Sequence, residues 1–444
     1  MSLTKVTNSM ISGAVTNVLD YGATGNGATD DYAAIQAAID ATPTGGQVVF
    51  PPGEYQISDQ LVISNKNSIT LSGYGGNSTP AIRWIGAADS TKAIIRIYRS
   101  SYCTVQNLLL HCLQANKPGY GVRITSGGAG VTQGNTIKNC TINYASLYGI
   151  YIGDTSNTDQ SVDLNTVENC FIDSCTVGAI SIHGANINLT RITRGSYAVG
   201  SLCAIEVGTY ARGVYISDCM PFDTIDNNTA VGWLYVRNQF SSLIEVANIV
   251  VELYRHAFLY TEASTVSNVA TGQIIIRNFI ASCNFAETGS SQDKIIEYLQ
   301  HGLLKLENCY IGGRSDATGT YIKYNTPNNP GPGLRTLDVS NVLLYPANMQ
   351  FAVPSTANSI GAETAWVGEY RTTVGTGITA GAITNVRQNM GGSLVTSVSA
   401  VPTTGTWPTG AVVFNSAPAT GSPEGWMCSA GGTPGTWKAM ANLA

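Results

Sequence analysis

The sequence contains few charged residues and no long apolar run. Asp, Glu, Lys and Arg together make up 11% of the 444 residues, and the net charge is −5. Proteins that bind nucleic acid carry a basic patch or stripe, and this composition offers no basic run to build one. Eighteen consecutive apolar residues do not occur, so the sequence offers no candidate transmembrane helix. What is abundant is Gly, Val, Ile, Thr, Tyr and Asn, which is typical of a turn-rich all-β chain.

The first 13 residues also lack the apolar core of a secretory signal peptide. We therefore expect synthesis and folding in the cytosol, where the ten cysteines should remain free thiols. Several of these cysteines share one position of the repeat described below. The prediction is a column of small, buried hydrophobic side chains.

A short motif built around an Asn recurs along the chain, at Thr136–Ile142, Thr166–Ile172, Tyr215–Cys219 and Leu306–Ile311. The full set of equivalent positions is Asn107, Asn139, Asn169, Asp218, Asn248, Asn278, Asn308 and Asn341. Most neighbours are separated by about 30 residues, and we divide the one long gap, from Asn169 to Asp218, at Asn188. A fixed period of this size indicates a solenoid, whose repeats bury their apolar faces against one another.

The residues around each Asn indicate which solenoid. Apolar residues two before, one after and three after the Asn cannot lie on one face of a straight strand. A short corner at the Asn restores the alternation, because Asn tolerates the left-handed conformation that a corner requires. No repeat contains helix formers at 3.6-residue spacing, which excludes leucine-rich and helical repeats. The predicted fold is all-β: a right-handed single-stranded parallel β-helix.

A Gly-rich turn precedes the repeat and closes on the start of a helix. Residues 17–31 read NVLDYGATGNGATDD, in which Thr29 or Asp30 can cap a helix over Asp31–Asp40. Ile35, Ala38 and Ile39 form its apolar face, so we expect this helix to cover the open end of the solenoid. The pattern GATGNG is not a dinucleotide site, because it lacks the βαβ context.

Residues 17–31 and the following GGQVVFPPGEYQIS of residues 45–58 resemble the N-terminal signature of the pectate-lyase-like β-helix superfamily. The preceding SLTKVTNSMISGA is similar to the lead-in of bacteriophage tailspikes and tail fibres. The resemblance covers residues 2–60 at the level of motifs and extends to about residue 350 through the repeat. It implies a spike of three parallel subunits with a glycan groove. The superfamily includes lyases, hydrolases and non-catalytic binders, so the fold leaves the reaction open.

The chain divides into four predicted segments. They are a lead-in over 1–16, a capping helix and first strands over 17–60, a β-helix body with the groove over 61–350, and a small C-terminal β domain over 351–444. The last segment looks like one common on phage tail proteins. It can serve as a trimer cap, as a second sugar-binding surface or as a cover for the edge of the solenoid.

An apolar stripe on the outside of the repeat supports the trimer. The position two after each Asn should face water, yet it holds Leu109, Thr141, Phe171, Met220, Val250, Ile280, Tyr310 and Leu343. A long exposed apolar stripe marks an interface, and closed symmetric assembly is the usual way to bury one. The alternative is that loops of the same chain cover it.

The third strand of each repeat is where the sequence varies most and where chemistry is expected. Its inward pairs are Ile150/Ile152, Ile180/Ile182, Ile205/Val207 and Leu234/Val236, which leaves Tyr151, Ser181, Glu206 and Tyr235 facing outward. Glu206 is an acid in the middle of this series. The following loop brings Asp223 and Asp226 beside it, although 20 residues are fewer than a full repeat.

Glycoside hydrolysis requires two carboxyl groups, one protonated and one ionised, and mutual repulsion can raise one pKa. The predicted catalytic set is therefore Glu206, Asp223 and Asp226, an arrangement similar to that of an O-antigen-cleaving tailspike family. The predicted substrate-binding residues are Trp233, Tyr235, Arg237, Glu252, Arg255, His256 and Arg194, chosen as sugar-stacking aromatics and charged groups in corresponding loops.

Two other chemistries and one binding role stay open. Asn157–Asp159, Asp173, His183 and Arg191 faintly resemble polygalacturonase motifs, but at intervals too short for successive repeats. A lyase acting by β-elimination would use a Tyr or Arg base with a cation to neutralise a uronate. The third alternative is a spike that binds glycan without cutting it. We predict no metal and no cofactor.

The sequence thus predicts a homotrimeric phage tailspike that binds and depolymerises a capsule or O-antigen, and the favoured reaction is hydrolysis. Its partners would be bacterial surface polysaccharide, two further copies of the chain and a phage tail or baseplate protein. It would be made in the host cytoplasm and act from the virion tail at the host surface. A bacterial or prophage-encoded glycan-active protein is a further alternative.

Overall fold

The computed structural model describes residues 15–75, 80–113, 115–127, 130–153, 161–184, 187–208, 211–222, 230–237, 243–253, 257–262, 272–283, 295–299, 302–313, 322–324, 335–345, 351–352, 364–372, 395–403, 407 and 409–442. Between residues 47 and 236, each turn of the chain contributes one strand to each of three parallel sheets, and in later turns the described strands of the solenoid belong to the first and third sheets. The predicted all-β solenoid is confirmed.

The first sheet has thirteen strands. They are Thr16–Asn17, Gln47–Phe50, Thr70–Gly73, Thr104–Gln106, Thr136–Lys138, Thr166–Glu168, Ile187–Thr193, Ala211–Ser217, Leu243–Leu253, Gln273–Cys283, Gly302–Gly313, Arg335–Tyr345 and Thr364–Thr372. The last strand pairs with this sheet beyond residue 350, where the repeat was expected to stop.

The second sheet has eight strands, Asn26–Asp30, Glu54–Ile57, Ala81–Trp84, Leu109–His111, Thr141–Asn143, Phe171–Asp173, Ser196–Ala198 and Met220–Phe222. The third sheet has eleven, Leu61–Ser64, Asp89–Tyr98, Pro118–Thr125, Tyr148–Ile152, Gly178–Ile182, Cys203–Val207, Gly232–Val236, Ala257–Thr261, Ile296–Tyr298, Ile322–Tyr324 and Phe351–Ala352. Val131–Gln133 and Ser161–Asp163 form a short extra pair.

The chain turns from the first sheet to the second at Asn107, Asn139, Asn169 and Asp218, and later turns keep the same corner residue within long strands of the first sheet. Asn107, Asn139, Asn169, Asp218, Asn248, Asn278 and Asn308 all have φ between 50° and 57°. That left-handed conformation is one that Asn adopts at little cost. Their side chains also form a ladder in which each amide donates to the residue one turn earlier, at 3.1 Å from Asn139 to Asn107 and 2.9 Å from Asn169 to Asn139. The predicted corner is confirmed.

One corner was assigned to the wrong residue. The register pairs Val167 with Ile192, which places Arg194 and not Asn188 at the corner between Asn169 and Asp218. Arg194 has φ 52° there, and its guanidinium pairs with Glu168 instead of joining the ladder. Two turns of about 25 residues replace one long and one short turn.

The neighbouring residue explains why this turn escaped the pattern. A Cβ on Gly195 would lie 2.1 Å from the hydroxyl oxygen of Tyr197, whose ring fills the space that the cysteine side chain fills in other turns. Tyr197 is fully buried. Glycine therefore stands in place of the cysteine and arginine in place of the Asn, so both marks of the motif are absent from this turn.

The capping helix spans Tyr32–Ala41 and buries Ile35, Ala38 and Ile39, as predicted. Its N-cap residue is Asp31, not Thr29 or Asp30. Asp31 is buried, and its carboxylate accepts hydrogen bonds from the Thr24 amide at 2.6 Å and from the Gly25 amide at 3.1 Å. These bonds compensate for its burial and connect the Gly-rich turn to the helix. Val18–Tyr21 forms a short 3-10 helix before that turn.

The interior is one continuous apolar column. In the described chain the cysteines are free, and Cys140, Cys170, Cys219 and Cys309 are buried at equivalent positions of successive turns, as predicted. No helix among the described residues is long and apolar enough to cross a bilayer.

Five residues of the predicted outer stripe are exposed, and Leu109 and Thr141 are partly buried. Met220, Val250, Ile280, Phe171 and Tyr310 are 63%, 65%, 46%, 43% and 39% exposed, and the side chain of Leu343 lies outside the described residues. Near the C-terminus, Val395–Val398, Val412–Asn415, Gly425–Ala430 and Thr436–Ala439 form a four-stranded sheet. It packs Trp407 and Trp437 against Ala411 and Cys428.

Candidate functional site

One series of outward side chains runs along the third sheet, one from each turn. Strand register aligns Arg96, Arg123, Tyr151, Ser181, Glu206, Tyr235, Tyr260 and Glu297. We call this series the outward column. It contains the four outward residues that the sequence analysis assigned, in the predicted register.

Glu206 lies at the centre of a hydrogen-bonded cluster. Its side chain is 3% exposed, and its Oε2 accepts from the Tyr148 hydroxyl at 2.6 Å and from the Ser181 hydroxyl at 2.9 Å. Its Oε1 accepts from Nε of Arg237 at 2.5 Å. Each oxygen is therefore hydrogen-bonded, and the charge is paired.

Small residues make this reach across turns possible. Tyr148 is two turns from Glu206 and lies over Gly178, where an added Cβ would meet the tyrosine ring at 3.0 Å. Gly178 is followed in its own register by Cys203 and Gly232, so no large side chain stands between the tyrosine and the carboxylate. A side chain at residue 178 would displace the ring.

The cluster fixes the protonation state of its members. Burial by itself would raise the pKa of Glu206, but hydrogen bonds from Tyr148 and Arg237 and the arginine charge outweigh it, so the pKa is lowered. Burial and the nearby carboxylate raise the pKa of Tyr148 far above its usual range, so the phenol stays a proton donor. Burial opposes the charge of Arg237, yet its bond to Glu206 raises the pKa of the guanidinium. The ion pair is ionised on both sides at neutral pH.

His183 is a member of the site that the predicted set left out. A Cβ on Gly208 would lie 3.0 Å from Nδ1 of His183, so the imidazole lies over this glycine. Burial lowers the pKa of His183, Glu206 opposes that shift, and Arg237 adds to it. The imidazole is therefore neutral at pH 7, beside a charged pair. The signal in the sequence was the pair His183-Gly184, which was considered only as part of a polygalacturonase motif.

Glu262 was also missed. It follows the strand Ala257–Thr261, in register with Arg237 one turn earlier. Burial raises the pKa of Tyr235 to about 12, and the charge of Glu262 contributes to that shift. A second carboxylate thus lies on the far side of Arg237 from Glu206. Its signal was its position two residues after the outward Tyr260, as Arg237 lies two residues after Tyr235.

Tyr235 and Arg237 lie where they were predicted. The Arg237 guanidinium lies 5.3 Å from the centre of the Tyr235 ring, which in turn is 5.8 Å from the Tyr260 ring. Together they extend the Glu206 cluster along the outward column.

Trp233 does not line this surface, contrary to the prediction. It is 1% exposed, stacks on Phe258 at 5.3 Å and donates to the Tyr197 carbonyl at 3.2 Å. The prediction failed because two consecutive residues of this strand, Trp233 and Leu234, both enter the core. Strict alternation, which would have turned Trp233 outward, does not hold at that point.

Arg194 lies on the corner between the first and second sheets, away from the outward column, and is 66% exposed. Glu252 lies within the strand Leu243–Leu253 of the first sheet, and its side chain is not among those described. Asp223, Asp226, Arg255 and His256 lie outside the described residues. Of the predicted set, the structure thus brings together Glu206, Tyr235 and Arg237.

Comparison with known proteins agrees with the β-helix fold. Residues 15–234 match the family described as rhamnogalacturonase A/epimerase, pectate lyase-like. This part of the chain is a pectate-lyase-like β-helix. It contains the capping helix, Tyr148, His183 and Glu206, and the predicted resemblance to the superfamily is confirmed.

Curated relatives match over short stretches. Mannuronan C5-epimerase AlgE4 of Azotobacter vinelandii is 40% identical over 93 residues, 19% of this chain and 16% of the relative. Alginate lyase 7 of the same organism is 59% identical over 44 residues, 10% of this chain and 5% of the relative. The chain thus spans only a small part of the length of these relatives.

Solved structures resemble most of the chain at low identity. The tailspike gp42 of Acinetobacter phage vb_AbaP_AS12 aligns with 91% of this chain and 71% of its own, at a TM-score of 0.60 and 13% identity. The A-module of the Azotobacter vinelandii epimerase AlgE4 aligns with 80% and 95%, at 0.58 and 16%. At these identities the likeness establishes the β-helix fold.

Proposed function

We propose that this protein is a bacteriophage tailspike that binds and depolymerises a polysaccharide of the host cell surface, with Glu206 at the centre of the site. The similarity to a phage tailspike and to mannuronan epimerases and an alginate lyase supports a β-helix acting on polysaccharide. The lead-in motif and the exposed stripe support the tail location and the trimer.

The observation that carries the proposal is the buried, ionised carboxylate on the outside of a solenoid. Removing a carboxylate from water costs several kcal/mol even after relaxation, and the core does not need one there. Perturbed titratable groups that gather around such a charge mark functional sites more often than chance. Glu206, Arg237, Tyr148 and His183 form such a group.

Hydrolysis remains the preferred reaction. Because its pKa is lowered, Glu206 suits the part of base or nucleophile, and a second carboxyl group must then supply the proton. We propose Asp226 for that part, with Asp223 positioning water. Tyr235, Arg237, Arg255, His256 and Glu252 would hold the sugars on either side.

A second reaction, β-elimination, is favoured by one specific observation. His183 is neutral and half-buried near Arg237, which is the combination of a proton acceptor and a cation that elimination from a uronate requires. In that reaction Arg237 would neutralise the sugar carboxylate, His183 would remove the proton next to it, and Tyr148 would protonate the leaving oxygen. The products carry a double bond.

The deciding experiment treats capsule and lipopolysaccharide glycans of candidate hosts with the purified protein and sizes the fragments. Absorbance at about 232 nm would report the unsaturated uronate that elimination forms. Fragments without absorbance that are lost in Glu206→Gln and Asp226→Asn support hydrolysis. Fragments with absorbance that are lost in His183→Gln support elimination. Receptor binding without fragments would leave a spike that only binds.

The trimer is proposed on the stripe formed by Phe171, Met220, Val250, Ile280 and Tyr310. Sedimentation of the full chain should give three times the mass of one chain. Introducing charge with Met220→Asp and Val250→Asp should lower that mass, and a monomeric wild-type protein would overturn this part of the proposal.

A further inference from the structure

The N-terminal end of the outward column has a second cluster of arginine and tyrosine side chains, separate from the Glu206 site. It consists of Arg96, Tyr98, Arg99, Tyr120, Arg123 and Tyr151, which we call the arginine–tyrosine patch. These residues lie on or directly after three adjacent strands of the third sheet. Arg96 and Arg123 stand in the same column as Glu206, four and three turns before it.

Arg123 is held over a pair of tyrosines. Its guanidinium lies 5.4 Å from the centre of the Tyr120 ring and 5.7 Å from that of Tyr151, and the two rings are 5.0 Å apart. Its Nη1 donates to the Thr91 carbonyl at 2.9 Å. The rings are 9% and 6% exposed, so they form a packed floor while the arginine lies above them.

Two further arginines share one ring. Arg96 lies 4.4 Å and Arg99 5.0 Å from the centre of the Tyr98 ring. Arg99 is fixed from the other side, because its guanidinium donates to the carbonyls of Ser126 at 3.2 Å and Gly127 at 3.0 Å. The positions of these cations are therefore set by the fold and not by a ligand.

Other arginines on the solenoid form ion pairs with carboxylates. Arg83 pairs with Glu54, Arg237 with Glu206 and Arg277 with Glu245. Among the residues described, no carboxylate forms an ion pair with Arg99 or Arg123. Arg99 and Arg123 thus place positive charge at one end of the column, on a chain whose net charge is −5.

We propose that the arginine–tyrosine patch is a binding subsite for a carboxylate-bearing sugar of the polysaccharide. The planar guanidinium fork matches a carboxylate, and the partly exposed ring of Tyr98 offers apolar surface to a sugar. The strand spacing of about 4.8 Å places Arg123 about 14 Å from Glu206 along the sheet. The glycan therefore lies along the solenoid axis, with an acidic sugar at the patch while another sugar occupies the Glu206 site.

This inference rests on the proposed function, because it extends the same glycan from the same column. It adds the class of polymer, an acidic one, and the direction in which the polymer lies. It also separates two tasks: the patch contributes affinity for the anion, and the Glu206 cluster contributes the reaction.

The test measures binding of hexamers of mannuronate, galacturonate and glucuronate to the full chain by calorimetry. For the hexamer that binds tightest, a carboxyl-reduced neutral counterpart is compared. The variants are Arg96→Gln and Arg123→Gln, together with Arg123→Lys, which keeps the charge and loses the fork. The matched control is Arg191→Gln, because Arg191 also lies over a tyrosine ring, that of Tyr215 at 5.8 Å, but on the first sheet.

We expect each Gln variant to weaken binding of the acidic hexamer about tenfold or more, since charge-assisted hydrogen bonds are lost. Arg123→Lys should fall between wild type and Arg123→Gln. Arg191→Gln should bind as wild type does, and the neutral hexamer should bind weakly to every variant. Binding of the acidic hexamer should also weaken as salt is raised. Circular dichroism and thermal melting would verify that each variant is folded.

Three results would overturn the inference: equal binding of the acidic and neutral hexamers, unchanged binding in a folded Arg123→Gln variant, or no binding of any acidic hexamer to the wild-type chain. The proposed function is judged separately, by fragmentation of host glycan. Fragmentation lost in Glu206→Gln together with unchanged hexamer binding in Arg123→Gln would retain the function and reject the subsite. Hexamer binding that depends on Arg123, without any fragmentation of a bound host glycan, would retain the subsite and reject depolymerisation.

Discussion

The corner between the first two sheets and the outward column of the third sheet are built on opposite rules. At the corner, nearly every turn places the same residue in the same conformation, and the Asn amides bond to one another along the stack. In the outward column the residue changes at almost every turn, from arginine through tyrosine, serine and glutamate to tyrosine again. The repeated Asn stabilises the backbone conformation at the corner, whereas the varied side chains of the outward column provide different chemical groups.

The two regions also differ in how their polar groups are satisfied. A corner Asn bonds to its neighbour one turn away, so its partners are repeated copies of itself. Glu206 draws its partners from three different turns, through Tyr148, Ser181 and Arg237. A ladder can lose one member and keep the rest, whereas a buried carboxylate that loses its cation is left with an uncompensated charge.

Arg237→Ala should therefore have the largest effect on stability. Removing one partner of a buried ion pair costs about 3–5 kcal/mol, and because Arg237 is 33% exposed we expect a loss near the low end, about 3 kcal/mol. The measurement is the midpoint of urea unfolding at an unchanged slope.

The pH dependence gives the internal check on Arg237→Ala. Without the cation, burial should dominate and the pKa of Glu206 should rise above its unfolded value. The loss should then be full at neutral pH and shrink as the pH falls through that raised pKa, because a protonated carboxyl group needs no counter-ion. A loss that is the same at pH 7 and pH 4 would show that the arginine acts only by packing. Arg277→Ala, which removes two more exposed ion pairs on the first sheet, with Glu245 and Glu307, is the control and should cost less.

Asn139→Ala tests the corner and should have an intermediate effect. The substitution removes two ladder bonds, to Asn107 and from Asn169, and places a Cβ residue without a polar side chain at φ 52°. Together these should cost about 1–2 kcal/mol in the free energy of unfolding. Asn139→Gly keeps the φ accessible, so the difference between the two variants isolates the backbone term.

Glycan fragmentation should be unchanged in both Asn139 variants, since the corner lies on a different edge from the outward column. If fragmentation fell along with stability in the folded variant, the separation between a structural corner and a chemical column would be wrong.

The two regions were not equally predictable from sequence. Repeated residues at a fixed interval predict a fold directly, and the corner, the cysteine column and the outward residues Tyr151, Ser181, Glu206 and Tyr235 followed from that interval. The interval failed at Arg194, because the turns are shorter there and Gly195, packed against the buried Tyr197, stands where other turns have cysteine. Trp233 failed because the strand places two consecutive residues in the core.

The partners of Glu206 were harder to predict than its position. Tyr148 is 58 residues away and reaches the carboxylate only because Gly178 leaves room beneath its ring. His183 enters the site because Gly208 leaves room in the same way. Such a contact depends on a glycine in an intervening turn and does not recur at a fixed interval in the sequence. The strand register therefore predicts which residues share the outward column, but not which side chains hydrogen-bond to Glu206.

Arg194→Asn should have the smallest effect, and the opposite sign. Arginine at φ 52° carries a backbone cost that Asn largely avoids, and the introduced amide can donate to Asn169 and add one bond to the ladder. Against this stands the lost ion pair with Glu168, which is worth little because the Arg194 side chain is 66% exposed. We expect a net gain of about 0.5–1 kcal/mol in urea unfolding. Arg194→Gly relieves the backbone without restoring the amide, so equal stability of the two variants would mean that the ladder bond adds nothing. A loss in Arg194→Asn would mean that the ion pair outweighs both terms, and the uniform corner would then owe its stability to geometry alone.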